Sequence, residues 1–82
     1  MVIVEYESHF RDLFKKIKDN SFQIKIKKQI QKIIKNPKVG KPMRYGRKGT
    51  RELYVAPFRI SYLYIEHEKK IVFSDLYHKK KQ

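Results

Sequence analysis

The chain has 82 residues, of which 40% are hydrophobic and none is cysteine, so we expect residues 1–82 to form one small domain without disulfides or a thiolate metal site. Its 21 Lys and Arg outnumber 8 Asp and Glu, and the formal charge of +13 favours a polyanionic partner, nucleic acid before an acidic protein, over a merely lysine-rich surface. No apolar run approaches the roughly 20 residues that span a bilayer, and the N-terminal apolar stretch is too short for a signal peptide, which predicts a cytoplasmic protein without a membrane partner.

The first half of the chain predicts a strand followed by a helical hairpin. Val2 to Tyr6 is rich in β-branched residues and predicts the strand. Asp19 to Ser21 separates two helical patterns, and so short a break implies that the helices are antiparallel. The first helix has Ser8 as its expected cap and an apolar stripe at i, i+3, i+4 and i+7, formed by Phe10, Leu13, Phe14 and Ile17.

The second helix is predicted from about Phe22 to Lys35, with a cap from Asp19 to Ser21 before it and Asn36-Pro37 at its end. Ile24 lies off its apolar arc, either against a partner or exposed. The apolar arc contains Phe22, Ile26, Ile30, Ile33 and Ile34, whereas a second stripe contains Lys25, Lys28, Lys32 and Lys35. The lysine stripe is interpreted as a solvated face, with a binding face as the alternative.

Residues 36–50 hold all three glycines of the chain and predict a long loop, which in a small domain is usually functional or mobile. Its cations interleave with Tyr45, a mixture suited to phosphate contacts and base stacking. A disordered basic connector is the alternative. The cations are Lys38, Lys41, Arg44, Arg47 and Lys48.

The segment from Arg51 to Tyr62 predicts a β-hairpin with a tight turn at Ala56-Pro57, in which Pro57 would take the first corner. Because side chains alternate between the two faces of a strand, one face of the hairpin is apolar. Phe58, Ile60, Tyr62 and Tyr64 share that face, with Tyr62 and Tyr64 as core aromatics. The opposite face begins with Glu52, Tyr54, Arg59 and Ser61, and is where we expect the chemistry.

A polar turn at residues 67–70 leads to a last strand, Ile71 to Tyr77. Alternation predicts Ile71, Phe73 and Tyr77 on one side and Val72 and Leu76 on the other. The order β-α-α-β-β-β therefore predicts an α+β fold, in which a small antiparallel-rich sheet carries the helical hairpin on one face. The other face would lie open between the basic loop and the basic tail.

Four motifs in this order resemble the toxins of the RelE/ParE superfamily, especially its RelE and HigB branches, and cover nearly the whole chain. The first two are Asn36-Pro37 after the second helix and Pro42-Met43-Arg44-Tyr45-Gly46 before the hairpin. The third, Glu52-Leu53 with Val55 to Tyr62, looks like the family's E-L-x-V-x-x-[YF]-R-[IL]-x-Y. The ending Tyr77 to Gln82 is similar to the HigB-type F-x-K-K-T-Q.

The resemblance implies a toxin of a type II toxin–antitoxin system. Such a toxin would be an endoribonuclease that enters the ribosomal A site, cuts translated mRNA and inhibits translation. Its partners would be mRNA, the ribosome and an acidic, RelB-like cognate antitoxin that wraps and silences it.

By position, Arg59 matches the family's arginine that stabilises the phosphate and leaving group. Lys80 matches a second cation after the last strand, and Arg44 matches a basic residue of the loop. Glu52 and Tyr54 fall where RelE members carry two lysines, one of them the base, and where HigB-like members have Glu and Arg. The family's distal tyrosine, beyond the last strand, has no counterpart in this sequence. The identity of the base therefore stays open.

RNA cleavage without a metal or cofactor uses the 2′-OH as nucleophile and needs a proton acceptor, cations for the developing charge and a proton donor. Arg59 suits the phosphate, with Lys79 or Lys80 as a second cation. Glu52 is the chemically sensible base, although a cross-strand ion pair with Arg59 or Lys79 is the alternative and is compatible with it. Tyr54 would stack on a base or pass a proton.

His78 is expected near this site as an acid or base, with an ordinary surface residue as the alternative. The three histidines are scattered and show no metal-ligand spacing, so no metal or other cofactor is expected. Further RNA contacts are expected from the cations of the loop, hairpin and tail, namely Arg44, Arg47, Lys48, Arg51, Lys79 and Lys81.

Two other functions remain open at this point. A toxin of the ParE branch would share the fold and act on DNA gyrase instead of mRNA. A non-catalytic basic RNA-binding module on the ribosome would show strongly salt-dependent binding without cleavage.

Overall fold

A computed structural model of the chain describes residues 2–43 and 49–78. Its elements, in chain order, are β1 (Ile3–Tyr6), α1 (Ser8–Lys16), α2 (Asn20–Lys35), β2 (Lys41–Pro42), β3 (Thr50–Val55), β4 (Phe58–Ile65), a 3₁₀ turn (Glu66–Glu68) and β5 (Lys70–His78). The predicted α+β fold with an N-terminal helical hairpin is confirmed. The predicted loop at residues 36–50 contains the short strand β2 and the first residue of β3, and its residues 44–48 lie outside the described ranges.

The five strands form one mixed sheet in the order β1-β5-β4-β3-β2. β1 is parallel to β5, whereas each of the other neighbouring pairs is antiparallel. The two helices lie in the connection between β1 and the rest of the sheet. Within the described ranges, no helix is both long and apolar enough to cross a membrane.

The core lies between the helices and one face of the sheet. From the helices it receives Phe10, Ile26, Ile30 and Ile33, and from the sheet Val55, Ile60, Tyr62, Ile71, Phe73 and Leu76. The ring of Phe10 contacts that of Phe73, with centroids 5.6 Å apart, and the ring of Phe22 contacts that of Phe58 at 5.7 Å. The aromatic side chains of the two layers therefore fix the helical hairpin onto this face, hereafter the helix-facing side.

The two helix starts differ in how well they were predicted. Asp19 caps α2, because its carboxylate accepts the Ser21 N–H at 2.9 Å and the Ser21 hydroxyl at 2.6 Å, as expected. The prediction that Ser8 caps α1 is wrong. Ser8 is the first helical residue, and the cap position is held by Glu7, whose side chain makes no capping hydrogen bond.

The hairpin of β3 and β4 turns at Ala56 and Pro57, as predicted, and Val55 pairs with Phe58 across the turn. The predicted place of Pro57 is wrong. It occupies the second corner of the turn, and the Ala56–Pro57 peptide bond is cis.

A β-bulge interrupts β5. Tyr62 of β4 pairs with Phe73, but its neighbour Ser61 pairs with Asp75, so Ser74 is an extra residue on β5. The Ser74 hydroxyl donates to the Ser61 carbonyl oxygen at 3.2 Å. The extra residue reverses the alternation that follows it.

The predicted sides of Leu76 and Tyr77 are therefore wrong. Leu76 is 2% exposed in the core with Ile71 and Phe73, and Tyr77 points to the opposite face of the sheet. A one-residue shift in a strand moves each later side chain to the other face.

Candidate active site

The sheet face opposite the helices carries the residues that the sequence places there. Glu52 pairs with Ser61, and Tyr54 pairs with Arg59, so the four side chains form two adjacent rows across β3 and β4. Tyr54 is 53% exposed. We call this surface the open face. Ser61 is its buried member, with the sulfur of Met43 3.8 Å from its hydroxyl.

An ion pair joins the two charged residues of the open face. Arg59 Nη1 donates to Glu52 Oε1 at 2.9 Å, and the two side chains are 28% and 20% exposed, respectively. The predicted cross-strand ion pair is thus confirmed, and it leaves the proposed role of Glu52 as a base untested. The Nε of Arg59 is buried, and no atom of the described residues forms a hydrogen bond with it.

Tyr77 is the third member of this cluster. It is paired with Arg59 across β4 and β5, and its hydroxyl donates a hydrogen bond to Glu52 Oε2. Burial and then the bond to the Glu52 carboxylate raise the pKa of Tyr77, and Arg59 opposes that rise. The Tyr77 hydroxyl is therefore protonated, and a donor, at neutral pH.

The structure does not bring His78 to this cluster. His78 pairs with Phe58, and their ring centroids are 5.3 Å apart on the helix-facing side, where His78 lines a cavity with Leu13 and Phe22. The prediction that His78 lies near Arg59 is wrong, because the bulge at Ser74 turns Tyr77 instead of His78 to the open face.

Arg51 also points away from the open face. It pairs with Tyr62 of the core, and its Nη1 donates to the carbonyl oxygens of Lys38 and Gly40 at 3.1 and 2.7 Å. The guanidinium therefore holds the chain between α2 and β2, and the RNA contact expected of Arg51 stays a prediction.

Several predicted cations fall outside the described residues and stay predictions. They are the catalytic candidate Lys80 and the RNA-binding candidates Arg44, Arg47, Lys48, Lys79 and Lys81. Within residues 2–43 and 49–78, no group of three or more His, Cys, Asp or Glu side chains is placed to hold a metal ion.

Tyr77 is the site residue that the sequence analysis missed. Strict alternation along β5 placed it with the core, and a bulge adds one residue without an unambiguous sequence signal. The polar pair Ser74-Asp75 inside an apolar strand is the one feature that marks the irregularity.

Comparison with known families identifies the kind of protein that carries this cluster. Residues 4–82 match the model of the ParE toxin of the parDE type II toxin–antitoxin system. The chain belongs to this ParE toxin family. The predicted membership of the RelE/ParE superfamily is therefore confirmed. No curated protein matches the sequence.

Solved structures of other toxins share the fold of this ParE-family chain. A chain of the Escherichia coli RelBE toxin–antitoxin complex superposes with a TM-score of 0.79 at 10% identity, over 93% of this chain and 94% of that one. A chain of the Mycobacterium tuberculosis RelBE2 complex superposes with a TM-score of 0.79 at 19% identity, over 94% of this chain and 96% of that one. A chain of the E. coli DinJ–YafQ complex superposes with a TM-score of 0.77 at 18% identity, over 99% of this chain and 97% of that one. At such identities the likeness shows the fold.

Proposed function

We propose that this toxin is a ribosome-dependent endoribonuclease that cleaves translated mRNA in the cytoplasm and thereby inhibits translation. The observation that carries the proposal is the pair of Arg59 and Glu52 on the open face. A partly exposed guanidinium and a carboxylate lie side by side on a rigid sheet, next to the exposed ring of Tyr54. These are a phosphate ligand, a proton acceptor and a stacking surface in one place.

In the proposed reaction the ribose 2′-oxygen bonds to the neighbouring phosphorus as the bond from phosphorus to the 5′-oxygen breaks. Arg59 binds the phosphate and exchanges part of its contact with Glu52 for phosphate oxygens. Glu52 takes the proton of the 2′-OH. The departing 5′-oxygen takes a proton from a cation of the C-terminal segment, for which the family resemblance offers Lys80. The products are a 2′,3′-cyclic phosphate and a 5′-hydroxyl, and no cofactor enters the step.

A cognate antitoxin is the proposed protein partner. Two of the matching structures, RelBE and RelBE2, are described as toxin–antitoxin complexes, and a third is the complex of DinJ with YafQ. The formal charge of +13 favours an acidic partner, and Ile24, 46% exposed on α2, offers an apolar contact. We propose a RelB-like, acidic antitoxin that wraps the toxin and suppresses cleavage.

The test is primer extension after induction in a bacterial host, on one message and on the same message without its start codon. We expect new 5′ ends in the translated message alone. Arg59→Ala should lower the yield of new 5′ ends by roughly 100-fold or more if the guanidinium stabilises the transition-state charge. Lys32→Ala, which removes an exposed cation from α2, is the matched control and should cut normally.

Cleavage that continues unchanged in the Arg59→Ala variant would remove this residue from the mechanism. Co-expression of the neighbouring open reading frame should restore growth if it encodes the antitoxin.

A second candidate follows from the family model, whose description is that of a ParE toxin. A ParE-like toxin would act on DNA gyrase. Induction would then trigger the DNA-damage response, and primer extension would show no new 5′ ends. A non-catalytic RNA-binding module would give neither response and would leave growth unchanged.

A further inference from the structure

We infer that Tyr77 is a positioning residue that anchors Glu52 by one carboxylate oxygen while the other oxygen receives the proton of the RNA 2′-OH. This inference rests on the proposed cleavage and adds a residue to it. The two oxygens of Glu52 have different partners, with Oε1 on Arg59 Nη1 at 2.9 Å and Oε2 on the Tyr77 hydroxyl. The three residues sit on three neighbouring strands, β3, β4 and β5.

The division of the two oxygens matters when RNA binds. A phosphate competes with Glu52 Oε1 for the Arg59 guanidinium, because both are anions that accept from the same donors. A carboxylate that lost this contact and had no other would rotate freely, and a misplaced base costs rate. The Tyr77 hydroxyl keeps Oε2 in place, so that Oε1 is vacated at a fixed position beside the phosphate.

The anchor must donate a hydrogen bond at neutral pH. Tyr77 is fitted to this role since its own pKa is raised, by burial first and by Glu52 second, so that it remains a donor across the neutral range.

The titratable and charged groups around Glu52 come from each neighbouring strand. Lys41 of β2 pairs with Glu52, Tyr54 lies two residues along β3, and Arg59 and Tyr77 complete the set from the described residues. Asp75 pairs with Ser61, but its Oδ1 has other partners, the Leu76 backbone nitrogen at 2.8 Å and His9 Nε2 at 3.3 Å.

The first experiment compares Tyr77→Phe with the wild type in a purified ribosome assay at neutral pH. We expect kcat to fall roughly 10- to 100-fold, as for loss of a hydrogen bond to a charged group, with KM for the programmed ribosome within about twofold. Tyr64→Phe removes a hydroxyl from the helix-facing side of β4 and should change neither quantity.

The second experiment does not depend on activity. With tyrosine labelled by ¹³C at Cζ, an NMR titration should show a lower pKa for Tyr77 in the Glu52→Gln variant than in the wild type, since the negative carboxylate is gone. An unchanged value would overturn the contact. This variant also keeps the test available if Tyr77→Phe fails to fold.

The two proposals fail differently. A wild-type protein that cuts no message in the ribosome assay overturns the proposed function. A wild-type protein that cuts, and whose Tyr77→Phe variant keeps its kcat, overturns the inference about Tyr77 alone.

Discussion

Tyr62 shows how a single side chain fixes the chain that leads to the open face. It is 0% exposed, and its hydroxyl donates to the Pro37 carbonyl oxygen at 2.6 Å and accepts the Gly40 N–H at 2.9 Å. Gly40 has no side chain, and a Cβ there would lie 2.6 Å from the Tyr62 hydroxyl oxygen, closer than atoms pack. Arg51 binds the Gly40 carbonyl from the same side. The path from α2 to β2 is thus fastened to the sheet by hydrogen bonds.

At this scale we predict that Tyr62→Phe destabilises the protein by about 2 kcal/mol, because the buried Gly40 N–H and the partly buried Pro37 carbonyl lose their hydrogen bonds to the hydroxyl. Chemical denaturation with urea measures the change. Tyr64→Phe is the matched control, since Tyr64 is partly buried on the same strand. This substitution should change the free energy of unfolding by no more than about 0.5 kcal/mol. Equal effects of the two substitutions would show that the hydroxyl bonds of Tyr62 contribute nothing.

The elements were predictable to the extent that their periodicity was regular. The apolar arc of α2 and the alternation of β3 and β4 place Ile26, Ile60 and Arg59 on the correct sides, because helix and strand periods hold throughout these elements. β5 breaks its period at Ser74, so Tyr77 and His78 exchange faces. The contact of Tyr77 with Glu52 joins residues 25 positions apart in sequence, and local pattern carries no information about such a pair.

For the element α2 we predict that Asp19→Ala lowers the urea midpoint at neutral pH, because it removes the acceptor of the Ser21 hydroxyl and N–H. Those bonds, the hydroxyl first, hold the pKa of Asp19 below its ordinary value of 3.8. A depressed carboxyl pKa stabilises the fold above the unfolded value, and this contribution is lost as pH falls through the folded value. The difference in urea midpoint between Asp19→Ala and the wild type should therefore become smaller at acidic pH.

Asp19→Asn is the control for this cap, since its amide oxygen is also an acceptor. It should stay close to the wild type at neutral pH, and its midpoint should respond less to acid. A midpoint for Asp19→Ala that matches the wild type at neutral pH would mean that the cap does not stabilise α2.

At the scale of the whole molecule, the described residues place cations on both layers of the fold. The exposed lysines of α2, which include Lys28 and Lys32, lie on the helical layer, whereas Arg59 lies on the open face of the sheet. Net charge alone would attract RNA to either region. The proposed function requires that RNA contacts the open face, so that the helical lysines remain solvated.

Salt dependence separates the two regions, because each phosphate that a protein cation neutralises on a single strand contributes about −0.7 to the slope of log K against log salt concentration. With a short single-stranded RNA, we predict that Arg59→Gln makes this slope shallower by about 0.7. The double variant Lys28→Gln and Lys32→Gln, matched in type of change, should keep the wild-type slope. Were the double variant instead to lose about 1.4, two phosphate contacts, while Arg59→Gln lost none, RNA would lie across α2, and the pair of Arg59 and Glu52 would serve the sheet alone.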